Sequence, residues 1–229
     1  MGFDIPKQIL FEDNHLIVIN KLSGQLVQPD NTGDDSLEEQ VKLYIKFANN
    51  KPGDAFLGVA HRIDRPVSGA VVFAKTSKAL VRLNEMLKQH ELKKTYWAIV
   101  KNKPPLQEAL LSQYIVRNTK QNKSQVYNMP IKDALLAKLN YKLIGSSDRY
   151  YLLEIDLMTG RHHQIRAQMA AINCPIQGDI KYGSQRTNSD GSICLHARML
   201  EFTHPVSKQE MHIVAPVPQN NLWKMFDIS

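Results

Sequence analysis

The segment YYLLEIDL, Tyr150 to Leu157, alternates with a period of two. Tyr151, Leu153, Ile155 and Leu157 fall on one face, and Leu152, Glu154 and Asp156 on the other. That pattern belongs to a strand with unlike faces. Similar short runs recur along the chain: LIVIN (Leu16 to Asn20), GAVVFAKT (Gly69 to Thr76), KTYWAIVKN (Lys94 to Asn102), ICLHARMLEF (Ile193 to Phe202) and EMHIVAP (Glu210 to Pro216). From Leu110 to Leu157 the sequence is mostly strand-like, broken by polar turns. Most of these strands can pair with antiparallel neighbours through short turns.

Helical periodicity is confined to a few places. SLEEQVKLYIKFA, from Ser36 to Ala48, opens with a capping box, Ser36 and Glu39, and puts Leu37, Val41, Tyr44, Ile45 and Ala48 on one side. SKALVRLNEMLKQHEL, from Ser77 to Leu92, has Leu80, Leu83 and Leu87 in register. HQIRAQMAAI, from His163 to Ile172, predicts a short helix with Ile165, Met169 and Ile172 on its inner face, and NNLWKMF a short terminal one. Strands outnumber helices. The expected class is α+β, a mixed and mainly antiparallel sheet with flanking helices. No repeat, low-complexity tract or linker-like stretch divides the 229 residues, so a single domain, 1–229, is expected.

No apolar run approaches the roughly 18 residues that span a bilayer, and the N-terminus shows neither a secretory signal nor a myristoylation pattern. Two cysteines, Cys174 and Cys194, form no C-x-x-C pair and cannot build a disulfide framework. A cytoplasmic protein with free thiols is expected. The net charge of +7 favours polyanions. No basic amphipathic helix points to a membrane, and Lys and Arg are spread along the chain, so nucleic acid would meet a folded surface.

Three clusters carry the polar chemistry: His61, Arg62, Asp64 and Arg65; GRHHQIR, from Gly160 to Arg166; and Leu195, His196 and Ala197 with His204 and Pro205. Histidines are numerous, but no H-E-x-x-H, C-x-x-C or paired-carboxylate spacing accompanies them, so no metal is assigned. Nucleophile-elbow, P-loop and dinucleotide fingerprints are absent as well. A carboxylate working without metal or cofactor is left. Asp64 lies in a loop just before a strand, and neighbouring guanidiniums would keep it ionised, as a nucleophile requires. A salt-bridged surface loop fits the same local sequence, and both readings stand at this point.

HRIDRPVSGAVVFAKT, from His61 to Thr76, resembles the signature of the RluA-type pseudouridine synthases: H-R-L-D, two variable residues, S/T-G, and a hydrophobic strand ending in A-K-T. The likeness covers almost the whole chain. ILFEDNHLIVINKLSGQLVQPD is similar to that family's opening segment and KTYWAIV to its K-x-Y strand. GRHHQIRAQMAAINCPIQGDIKYG is similar to its G-R-x-H-Q-I-R-x-H block, and LHARMLEFTHP to its closing strand. The resemblance implies the pseudouridine synthase catalytic fold. It also implies isomerisation of uridine already in RNA to pseudouridine, the ribose being rejoined to carbon 5 of the same base. Leu22 stands where the family usually has Pro, Gln28 where it has His, His162 where Thr or Lys is common, and Gln168 where His is usual. The chain is read as starting directly at the catalytic domain, without the S4-like extension that many relatives carry.

The resemblance implies roles residue by residue. Asp64 is the nucleophile. Tyr96 stacks on the target base and assists removal of the carbon-5 proton. Arg166 pairs with Asp64 and holds it ionised. Leu195 walls the uracil pocket. Arg62, Arg65, Arg161, His163 and Lys181 meet phosphates or brace loops, and His61 orders the Asp64 loop. No cofactor is expected. The expected partner is ribosomal or transfer RNA, met by a monomer, with the target nucleotide flipped out of its stack. Two rivals remain at this level: a non-catalytic RNA-binding or chaperone protein on the same fold, and a metal-dependent nuclease or glycosidase using the histidines.

Overall fold

The structure, a computed structural model, describes residues 4–48 and 53–226. In chain order its elements are α1 (Ile5–Gln8), β1 (Ile9–Glu12), β2 (Leu16–Lys21), α2 (Leu37–Ala48), β3 (Gly58–Val59), β4 (Ser68–Ala74) and α3 (Ser77–Lys88). There follow β5 (Lys93–Val100), β6 (Glu108–Asn118), β7 (Lys123–Tyr127), β8 (Leu135–Ser146), β9 (Tyr151–Leu157) and α4 (Gln164–Ala171). A 3-10 turn (Ile180–Tyr182), β10 (Leu195–Thr203), β11 (Glu210–Val214) and α5 (Asn221–Lys224) complete the chain. The class is α+β with mainly antiparallel pairing, as the strand count predicts.

Two compact units emerge, one from Met1–Leu92 with Ala197–Pro216, the other from Lys93–His196 with Val217–Ser229. In the first unit the strand order is β1-β2-β4-β10, with β11 on β10 and β3 on β4. All seven residues of β4 are buried, which is why GAVVFA reads as an unbroken apolar run rather than an alternation. On one of its faces Ala70, Val72 and Ala74 join Leu16, Val18, Leu83, Met86, Leu200 and Phe202 in a core; Val71 and Phe73, on the other face, are equally buried.

The helices of this unit start where their caps direct. Ser36 and Glu39 exchange hydrogen bonds, Ser36 N–H to Glu39 Oε2 at 2.9 Å and Glu39 N–H to Ser36 Oγ at 3.3 Å, and α2 begins at the next residue. Thr76 Oγ1 accepts from Ala79 N–H at 3.2 Å and starts α3. Ala79, Leu83 and Met86 form the buried stripe of α3, while Leu80 and Leu87 sit half-buried at its edges. Burying Leu83 alone is worth about 1.5–3 kcal/mol.

The second unit is an antiparallel sheet in the order β5-β9-β8-β6-β7. Its core includes Ile99, Leu139, Tyr141, Leu153 and Ile155. The predicted alternation of β9 holds for Leu153 and Ile155, but Leu152 on the opposite face is buried too. α4 is not the one-faced helix its periodicity predicts. Every residue from Gln164 to Met169 is buried, so Arg166 and Gln168 are polar groups that must find partners inside. Gln168 Nε2 donates to Ala137 O at 3.3 Å and to Gln113 Oε1 at 3.2 Å. Among the described residues no helix is long and apolar enough to cross a membrane.

Candidate active site

Asp64 lies half-buried on the loop between β3 and β4. A turn closed by Val67 N–H to Asp64 O at 3.0 Å leads from it into β4, and Gly69 follows with φ +118. A Cβ at Gly69 would fall on the backbone of Ala197, so only glycine lets β4 start this close to its neighbour. His61 Nε2 accepts the N–H of Val72 at 3.1 Å, which ties the front of the loop to the strand behind it.

Beneath the loop sits a residue that sequence reasoning did not single out. Lys21, at the end of β2, has 0% exposure. Its ammonium donates to Gln25 O at 2.8 Å, Leu22 O at 3.0 Å and Arg65 O at 3.1 Å. Three N–H groups meet three carbonyls, one of them on the residue next to Asp64. Burial pushes the Lys21 pKa down to about 7, against the pull of the Asp64 carboxylate and with the repulsion of Arg65. Arg65 turns away to the other side of the loop. Its Nη2 lies 2.7 Å from Asp34 Oδ2, and its Nε donates to Gly24 O at 3.0 Å. Arg62 is exposed.

Within the second unit, Tyr96 is 6% exposed on β5, opposite Ile155 of β9. Lys94 shares its face of the strand by the two-residue period, and burial lowers the Lys94 pKa. Arg166, on α4, meets Asp179 in a two-pronged ion pair, Nε to Oδ2 at 2.7 Å and Nη2 to Oδ1 at 2.9 Å, with both side chains almost wholly buried. The guanidinium lies 5.1 Å from the centre of the Tyr182 ring. Asp179 and Tyr182 belong to the GDIKYG stretch of the fourth motif, but nothing in their spacing announces the contact.

The remaining predicted residues fall as follows. Leu195 is buried at the start of β10. Arg161 is half-buried and donates from Nε to Leu136 O at 2.9 Å. His163 precedes α4 in the left-handed region, φ 50, and its Nδ1 lies 3.0 Å from the Tyr182 hydroxyl. Lys181 is exposed and reaches Asn122 O at 3.2 Å. His204 is occupied structurally. Its Nδ1 accepts from the N–H groups of Val206 and Ser207, which leaves the ring proton on Nε2, 3.1 Å from Asp13 Oδ2. Among the described residues no three His, Cys, Asp or Glu side chains are grouped to hold a metal ion. Both thiols are free and buried, and burial raises Cys174 to about 11 and Cys194 to about 12.

The Asp64 loop, the β5 strand and α4 all lie within residues 15–171, which match the protein family described as RNA pseudouridylate synthase. The chain belongs to the RluA-type pseudouridine synthases. As a member of that family it is an RNA pseudouridine synthase. It is 33% identical to the ribosomal large subunit pseudouridine synthase D of Zymomonas mobilis, over 99% of this chain and 74% of the relative. It is 29% identical to the tRNA pseudouridine synthase C of Pectobacterium carotovorum, over 91% of this chain and 58% of the relative. The fold of this pseudouridine synthase is also that of human RNA pseudouridylate synthase domain containing 4, with a TM-score of 0.80 at 23% identity, covering 94% of this chain and 90% of that one.

Proposed function

We propose that this pseudouridine synthase isomerises specific uridines in structured RNA, ribosomal or transfer RNA or both, with Asp64 as nucleophile. The relatives named for ribosomal large subunit and for tRNA support those two substrate classes. In the net reaction the N1–C1′ bond breaks and a C1′–C5 bond forms. The C5 proton leaves, and N1 takes one up from solvent. The reaction is redox-neutral overall and needs no external energy, which agrees with a chain that works without a redox cofactor. It acts in the cytoplasm, as a monomer, with 1–229 as one catalytic domain.

The observation that carries the proposal is the mount under Asp64. Lys21, His61 and Gly69 each hold the loop or its strand to buried backbone, so a half-exposed carboxylate is fixed by a rigid support. A solvated salt-bridged loop has no use for a wholly buried lysine, whose dehydration costs stability. Tyr96 and Arg166 are the further residues that turnover requires.

The test is Asp64→Asn, which keeps shape and removes charge. Release of tritium from carbon-5-labelled uridine RNA should stop, while RNA affinity stays within about tenfold, roughly 1.4 kcal/mol. Turnover within tenfold of wild type would sink the nucleophile assignment. A pseudouridine map of the source cell's RNA with and without the gene names the substrate. Unchanged turnover in excess chelator is expected, and its loss would revive the metal-dependent alternative.

A further inference from the structure

A groove of about 320 Å³ runs beside β6 in the second unit, lined by Ile115, Val116, Arg117, Asp133, Leu135, Gly160, Arg161 and His162. None of Asp64, Tyr96, Arg166 or Leu195 lines it. Ile115 and its cross-strand partner Leu135 share one face of the sheet and make an apolar wall. Two guanidiniums and an imidazole face one carboxylate, so the charge at the groove is positive. The turn between β6 and β7 and the 3-10 turn bring Lys123 and Lys181 to the same neighbourhood: Lys123 Nζ lies 5.2 Å from the centre of the Tyr182 ring, and Lys181 binds Asn122 O.

His162, the position where this chain departs from its family's usual Thr or Lys, is held at both ring nitrogens. Ser124 Oγ donates to His162 O at 2.6 Å and also lies 2.9 Å from His162 Nδ1. A hydroxyl has one proton, so the serine accepts from Nδ1–H. Nε2 faces Asn122 Oδ1 at 3.1 Å. Oδ1 can only accept, so with the amide this way round both nitrogens donate, an arrangement that suits the imidazolium. Turning the Asn122 amide over would present its NH₂ group to a neutral ring instead. One amide rotation therefore accommodates either charge without leaving a polar group unpaired.

The groups around the ring decide which charge prevails. His163 stacks on it at 3.8 Å between ring centres. Ser124 and Asn122 come from β7 and its turn. Lys123, Lys181, Arg117 and Arg161 repel a proton, Asp133 attracts one, and the Tyr182 hydroxyl approaches His163 rather than His162. Four cations against one carboxylate leave the groove net positive, a setting for an anion beside the ring.

We propose that this groove is a second RNA subsite. It seats one nucleotide other than the isomerised uridine, with the base against the exposed Leu135 and the phosphate on Arg117 and Arg161, beside the His162 ring rather than hydrogen-bonded to it. The inference rests on the RNA-modifying reading above. A phosphate in the groove stabilises the imidazolium, so RNA binding takes up a proton at His162, and by linkage affinity rises as pH falls.

The test measures binding of an unmodified transfer RNA transcript by fluorescence anisotropy between pH 5.5 and 8.5 at fixed salt. Wild type should tighten on acidification by about fivefold, close to 1 kcal/mol. His162→Gln should lose most of that change. Arg117→Gln, at an exposed position, should weaken binding at every pH and reduce the slope of log affinity against log salt by about 0.7–0.9. A pH dependence unchanged in His162→Gln, or an unchanged salt slope in Arg117→Gln, would overturn the subsite. Pseudouridine formation is followed separately. Wild type that binds with the expected pH dependence yet modifies no RNA keeps the subsite and overturns the enzymatic reading.

Discussion

Arg166 and Asp179, thirteen positions apart, form a buried two-pronged ion pair that joins α4 to the 3-10 turn. Both oxygens of Asp179 are engaged by one guanidinium, which fixes the plane of the arginine as well as its position. An arginine aimed in this way can serve chemistry that a freely rotating one cannot.

Arg166→Met should therefore lose both stability and turnover. The stability cost is about 3–5 kcal/mol, because Asp179 is left buried without its partner. Arg166→Met with Asp179→Asn should recover much of that stability, since no uncompensated charge remains, but none of the turnover. Asp179→Asn alone tests the positioning role: about 100-fold in kcat is the expected loss. Chemical denaturation and single-turnover kinetics on the three proteins check this. Recovery of turnover in the double variant would show that Arg166 matters only for folding.

Lys21 predicts a pH dependence of stability. Its pKa is about 7 in the folded protein and about 10.4 in an unfolded chain. Below 7 both states hold the proton, and the cost of burying the charge is fully present. Between about 7 and 10.4 the unfolded chain binds more protons, so stability from this group rises with pH. Lys21→Met should abolish that rise. It should also leave Gln25 O without its donor, at about 1–3 kcal/mol if it stays buried and unsatisfied, while Arg65 O keeps the N–H of Gly24 and Leu22 O that of Gln25. Unfolding free energies at pH 7 and pH 9.5 give the comparison, and equal slopes in the two proteins would reject the assignment.

Gly69→Ala should damage the same loop from the other side. The left-handed φ costs an L-residue about 1–3 kcal/mol, and the added methyl meets the backbone of Ala197, which cannot rotate away. Lower thermal stability with lost turnover is expected. Gly183→Ala is the control: its φ of +104 carries similar strain, but a Cβ there has no neighbour within 4 Å. Equal losses in the two variants would mean that φ strain, not the approach to Ala197, sets the cost.

Much of this was legible in the sequence because it is local. The Ser36 and Glu39 capping box, the buried run of β4 and the alternation along β9 each follow from neighbours within a few residues. The Asp64 loop and the family motifs around it are equally local. What stayed hidden depends on distance or on burial. Lys21 sits where a strand ends, and a lysine there is ordinarily solvated; only the fold shows three carbonyls converging on it. Asp179 lies in a stretch whose spacing to Arg166 has no regular period. The helical pattern of α4 shows an inner face but not that the opposite face is covered too. No single linker separates the two units because the chain passes between them three times, just before β5, within β10 and after β11.

Tyr96 gives the sharpest separation of packing from chemistry. At 6% exposure its ring is part of the core of β5 and β9, so Tyr96→Ala should cost about 3–5 kcal/mol by the cavity it leaves. Loss of turnover in that variant alone would prove little. Tyr96→Phe keeps the ring and its volume and removes only the hydroxyl. If the residue serves by stacking on the flipped base, an interaction worth about 1–3 kcal/mol, Phe should turn over at the wild-type rate while Ala does not. If the hydroxyl takes part in removing the carbon-5 proton, Phe should be stable, bind RNA normally and accumulate a bound intermediate without releasing tritium. RNA affinity should change little in either variant, because phosphate contacts spread over the basic surface dominate it. Full turnover in a folded Tyr96→Ala protein would return Tyr96 to the status of a core residue and remove it from the catalytic set.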